Sequence, residues 1–107
     1  MTDIIKIGNK DVGMMASGSS IRIYRRIFGR DFMTETQEDP PDTGIYQDMG
    51  FVMAMQYEVG SHQADKKTIE DYYNWCDQFT PLELYNAQPA IISLWAKSSE
   101  STSNPKK

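Results

Sequence analysis

Between residues 19 and 32 the apolar side chains return at the period of an α-helix. At about 100° per residue, Ile21, Ile23, Tyr24, Ile27 and Phe28 share one side and Arg22, Arg25 and Arg26 the other. Ser19 or Ser20 offers an N-cap oxygen, and Gly29 can end the helix. Ahead of it the period changes to two. Residues 2–7 are β-branched and aliphatic, with Ile5 and Ile7 alternating against Lys6, Gly8-Asn9 is a turn signal, and residues 11–16 can return as a second strand. A lone hairpin is marginal in water, and so is a helix this short. Each must dock by its apolar side, the hairpin on a helix or on another copy of itself.

Residues 33–43 break the pattern: they are acidic, contain Pro40 and Pro41, and hold little apolar surface to offset the cost of ordering. A mobile loop is expected there. Asp42 or Thr43 should cap the next helix, running from about Ile45 to Tyr57 or Glu58, with Gly60 as its stop. Ile45, Met49, Val52, Met53 and Gln56 form one stripe, and Tyr46, Phe51 and Met55 extend it around most of the circumference. Such a helix is central to its fold or buried against a partner. Gly50 in its middle costs about 1 kcal/mol against alanine and points to close approach of another helix. Residues 60–65 read as a linker.

Two capping patterns follow. Thr68 with Asp71 opens a helix whose Ile69, Tyr72, Tyr73 and Cys76 are spaced to face the core. Thr80-Pro81-Leu82-Glu83 places threonine at the cap, proline at the first helical position and an acid at the third. Leu82, Tyr85, Ile91, Leu94 and Trp95 then predict the buried face. Pro89 predicts either a kink or two short helices meeting there. The fold expected is mainly α: a short N-terminal β-hairpin, then four or five helices in a small bundle. It is a single domain over residues 1–97, with a disordered Ser/Thr-rich tail over 98–107.

Length and charge narrow the function classes. At 107 residues the chain forms one domain with a modest core, and its net charge of −4 disfavours a generic nucleic-acid binder. The single Cys76 rules out an internal disulfide and fits a reducing compartment. The N-terminus lacks a signal peptide's apolar core and no run approaches membrane-spanning length, so a soluble cytoplasmic protein is expected. His62, the only histidine, has no nearby histidine or cysteine to complete a metal or acid–base site. No phosphate loop, metal-spaced set or nucleophile–base pair is present, so no cofactor and no enzymatic activity are expected.

The order of pieces resembles a known family. Residues 23–32 read Ile-Tyr-Arg-Arg-Ile-Phe-Gly-Arg-Asp-Phe, 71–77 read Asp-Tyr-Tyr-Asn-Trp-Cys-Asp, and 90–95 read Ala-Ile-Ile-Ser-Leu-Trp before the Ser/Thr-rich tail. With the preceding hairpin, this resembles the tail assembly chaperones of long-tailed phages and prophages of Gram-positive bacteria, over nearly the whole chain. The resemblance implies a protein of the host bacterial cytoplasm that coats the long, aggregation-prone tape measure protein before the tail tube polymerises around it. It also implies that a minority of copies continue through a −1 ribosomal frameshift into a second domain recruiting the tail tube protein. Pro105-Lys106-Lys107 can be encoded CCA-AAA-AAG, a slippery message.

Candidate partner contacts follow from residue type. Arg25, Arg26 and Arg30 can pair with acidic segments of another copy or a client, against the plain reading of solvated charges. Met49, Met53, Met55 and Trp95 can supply an adaptable apolar surface, against the plain reading of an ordinary core. Much aromatic and methionine surface in a short chain predicts a homo-oligomer. The rival function is a structural head–tail component, or a small helical DNA-associated regulator using Arg22, Arg25, Arg26 and Arg30.

Overall fold

Gly8 and Asn9 reverse the chain between strand β1 (Thr2–Ile7) and strand β2 (Lys10–Met15), which pair antiparallel with Ile5 opposite Val12 and Ile7 opposite Lys10. The computed structural model describes residues 1–39 and 42–99. One face of the hairpin carries Ile5, Ile7 and Met14, all buried, and it lies on helices rather than on another sheet. Helix α1 (Ser19–Phe28) follows, ending at Gly29, whose N–H donates to the Arg25 carbonyl. Gly18 stands at the N-cap without a side-chain bond, and Ser17 Oγ just before it accepts the Ser19 N–H, so neither Ser19 nor Ser20 caps the helix. Ser20 is instead buried and donates to Gln56.

Helix α3 (Ile45–Ala64) is the axis of the molecule. Residues 49–56 are all buried, as expected of a helix apolar nearly all round. Gly50 sits where a Cβ would lie 2.9 Å from Ile91 Cδ1 and 3.5 Å from Met14 Cε, so the glycine admits another helix and the hairpin together. Gln56 is the buried polar residue of this helix. Its Oε1 accepts from Ser20 Oγ at 2.6 Å, and its Nε2 donates to Ser17 Oγ at 2.9 Å and Ser61 Oγ at 3.0 Å. A buried amide so satisfied fixes how α1 and α3 meet.

Helix α2 (Phe32–Glu35) occupies the start of the segment expected to be a mobile loop, because Phe32 buries fully and stacks edge-on against Tyr24, Tyr46 and Trp95. Asp42, expected to cap α3, accepts the Gly44 N–H through Oδ1 just before the helix. Gly60 breaks α3 as expected, at φ 85° and ψ 162°, a conformation side chains other than glycine's rarely allow. The helix resumes immediately, so most of the expected linker is a helical turn anchored by Ser61 and the buried Ala64.

Helices α4 (Ile69–Cys76) and α5 (Pro81–Ser99) both begin with the reciprocal capping bonds foreseen for Thr68/Asp71 and Thr80/Glu83. Pro89 lies inside one continuous α5, on its exposed side, so the carbonyl it leaves without a donor can turn to water. Two burial patterns depart from expectation. On α4, Tyr72 and Trp75 are buried while Ile69 and Tyr73 are exposed. On α5, the buried residues are Leu84, Ala87, Gln88, Ile91 and Leu94, while Leu82 and Tyr85 face out. Ser98 and Ser99 belong to α5 and not to a tail. The disorder expected of the rest of the tail, and the frameshift position at Lys106-Lys107, lie outside the described residues. No helix among the described residues is long and apolar enough to cross a membrane.

Candidate partner-binding surface

The arginines of α1 and its end divide into two kinds. Arg26 Nε lies 2.9 Å from Asp65 Oδ1, and its NH2 group donates to the Lys67 carbonyl at 2.6 Å. Arg30 sits over the rings of Tyr24 and Phe28 and bridges Asp48 at 2.6 Å and Glu35 at 3.3 Å. Both are committed to holding the fold. Arg22 and Arg25 point outward, and neither makes an ion pair among the described residues.

Around Arg30 a polar clasp joins four helices. Tyr24 donates to Glu35 Oε1 at 2.6 Å, and Tyr72 donates to Asp48 Oδ1. Gln47 reaches the Tyr72 hydroxyl at 3.2 Å and Cys76 Sγ at 3.5 Å. Burial raises the Asp48 carboxyl above the ordinary carboxylate range, with the Tyr72 and Arg30 hydrogen bonds working against it. Desolvation, then the hydrogen bond each gives to a carboxylate, holds both tyrosines protonated well above their usual value. Each Asp48 oxygen already holds a donor. Burial also pushes the Cys76 thiol up, away from the reactive thiolate. The chemistry of this arrangement is cohesion: it locks α1, α2, α3 and α4 into one body.

The methionines proposed for partner contact go inside. Met49 and Met53 have no exposed surface and Met55 is 7% exposed, because α3 is sheathed by the hairpin, α1, α4 and α5. Trp95 is partly buried with its ring against Phe32. Met49 and Met53 offer no face to another molecule, and Met55 keeps only a small exposed area at the groove described below.

Apolar surface is exposed elsewhere. Leu82 and Tyr85 are each 65% exposed, Pro89 and Ala96 are exposed, and Ile92 is half-buried. Spaced three and four apart, they form one stripe along α5, roughly 140° around the helix from the buried one. Only Glu83 and Lys97 are charged on the whole helix. Sequence reasoning merged the two stripes into one face. The signal for separating them was present, since Leu82-Tyr85-Pro89-Ile92-Ala96 and Leu84-Ala87-Ile91-Leu94 are each periodic.

A second feature is a groove of about 650 Å³ bounded by β2, α3 and α4. Its floor is Phe51, Ala54, Met55 and Trp75, and its rim carries Lys10, Asp11, Glu58 and Asp71. Among the described residues no three His, Cys, Asp or Glu side chains converge as a metal-holding group. Compared with protein-family models, curated proteins and solved structures, the chain finds no match in any of the three.

Proposed function

We propose that this chain is a phage tail assembly chaperone that binds and solubilises the tape measure protein during tail morphogenesis in the host bacterial cytoplasm. The observation that carries this reading is the outward stripe of α5. A fold this small that leaves Leu82 and Tyr85 in water, on a helix with two charges in 19 residues, has surface suited to the apolar face of another helix. A largely helical, aggregation-prone client, as the family resemblance implies, is the partner such a stripe would serve. The chain acts as several copies, so that a long client is covered along its length. A minority form, extended by a frameshift near Lys106-Lys107, recruits the tail tube protein.

The DNA-regulator reading draws less support. Arg26 and Arg30 are spent on Asp65, Asp48 and Glu35, leaving Arg22 and Arg25 on an acidic protein. Co-expression with the tape measure protein of the same gene cluster tests the proposal. The client should move from the pellet to the supernatant when this chain is present. A client that pellets equally with and without it, or DNA affinity that collapses with added salt, overturns the reading.

A further inference from the structure

We propose that, before a client arrives, the outward stripe of α5 is covered by the same stripe of a second copy, the two helices running antiparallel. Leu82, Tyr85, Pro89, Ile92 and Ala96 follow one another at steps of three and four residues in turn, the spacing of a seam at which two helices pack. Leu82 and Tyr85 are left in water because α5 packs on β1 and α3 by its other side. The bulk of the stripe is uneven. Its large residues Leu82 and Tyr85 lie in the N-terminal half, and the small Ala96 lies near the C-terminal end.

That unevenness selects both the occupant and its direction. A two-fold axis level with Ala90 and Ile91 sets Tyr85 opposite the partner's Ala96 and Pro89 opposite the partner's Ile92. Each contact then occurs twice, and a large side chain meets a small one. Parallel packing would press Tyr85 on the partner's Tyr85 and leave a gap between the two Ala96 residues.

Charge agrees with the antiparallel direction. The charged residues of α5 are Glu83 near its start and Lys97 near its end. Antiparallel packing brings Glu83 to the same flank as the partner's Lys97, offset by about 1.5 Å along the axis. Parallel packing would set like charges level. Glu83 Oε1 already accepts the Thr80 N–H, so these charges orient the pair and form no buried bridge. The two helix dipoles also oppose each other in this arrangement. Between them on that flank, Asn86 and Ser93 are exposed and uncharged, so no like charges repel there.

The size of the contact sets its strength. From Leu82 to Ala96 the stripe is about 21 Å long and a helix is about 10 Å across, so the contact stays below the roughly 800 Å² per partner of a standard interface. The dimer is therefore weak and adds little to the melting temperature at micromolar concentration. A weak cover is one that the apolar face of a client helix can displace. Dimerisation stands on α5 alone, and only the exchange for a client rests on the chaperone reading.

Sedimentation equilibrium of the full chain tests the dimer. Monomer and dimer should exchange, with the dimer growing as concentration rises. Leu82→Asp with Tyr85→Asp should weaken dimerisation at least tenfold, with an unchanged circular dichroism spectrum. In a Cys76→Ala background, Tyr85→Cys and Ala96→Cys chains should be joined by a short bis-maleimide when mixed, and neither should be joined to itself. This second readout holds even if the aspartate variant misfolds. A chain monomeric at its highest soluble concentration, a dimer undiminished by the two aspartates, or Tyr85→Cys joined to itself would each overturn the proposal. A monomeric chain that still solubilises the client removes the dimer and leaves the chaperone reading. A dimer whose client stays in the pellet does the reverse.

Discussion

Replacing Gly50 by alanine sets two opposed effects against each other at one atom. Alanine in the middle of α3 gains about 1 kcal/mol of helix propensity. Its Cβ would stand 2.9 Å from Ile91 Cδ1, closer than packed carbons tolerate, and Ile91 is fully buried. Overpacking of this kind costs about 1–3 kcal/mol, so Gly50→Ala alone should range from neutral to about 2 kcal/mol destabilising. Ile91→Val deletes the offending methyl and alone should cost about 0.5–1.5 kcal/mol. In that background the next neighbour of the new Cβ, Met14 Cε at 3.5 Å, is in ordinary contact, and the propensity gain should return in full. The pair should therefore couple favourably by roughly 1–3 kcal/mol. Urea melts of the four proteins read this directly, and about 1 kcal/mol corresponds to some 4–8 °C in melting temperature for a domain of this size. Additivity within about 0.5 kcal/mol, or a wild-type background stabilised outright by alanine, would refute the close approach of α5 to α3.

Other expectations concern charge and burial. Arg30→Met should destabilise by about 1–3 kcal/mol, discounted for its partial exposure, because Asp48 and Glu35 lose their shared cation in the clasp; urea denaturation measures it. Capping bonds from Thr68 hold the Asp71 carboxyl below its ordinary 3.8, so it contributes stability above that value and loses it as pH falls through the depressed one. The stability gap between wild type and Asp71→Ala should accordingly shrink on acidification. Asp48 has the opposite sign: burial raises it, so the wild type loses stability as pH rises through the raised value, and urea melts should show Asp48→Asn gaining on the wild type over that interval. Cys76, half-buried with its thiol pushed up, should react with iodoacetamide several-fold more slowly at pH 7 in the folded chain than in urea.

Elements governed by local chemistry were legible in the sequence. The hairpin turn at Gly8-Asn9, the cap at Gly29 and the Thr68 and Thr80 boxes each depend on a few adjacent residues. Gly50 betrayed its neighbour because a mid-helix glycine needs a packing reason. What could not be read was which of two apolar stripes a helix would bury. On α5 both repeat at the helical period, and only the position of α3 and β1 selects Leu84, Ala87, Ile91 and Leu94 over Leu82 and Tyr85. The methionines illustrate the same limit in reverse, since Met49 and Met53 look adaptable and are simply core. Gly60 was seen as a stop, yet the helix resumes immediately after it, where Ser61 Oγ accepts from Gln56 Nε2 and Ala64 is buried. The groove beside β2 could not be foreseen, because it lies between elements distant in sequence.

Surface charge on α5 gives the most direct test. Leu82→Asp with Tyr85→Asp alters only water-facing residues, so the melting temperature should stay within a few degrees of wild type. Co-expressed with the tape measure protein, the wild type should keep that client in the supernatant while the double variant leaves it in the pellet. A double variant that folds and still solubilises the client as well as wild type would contradict the assignment of the α5 stripe as the client-binding face.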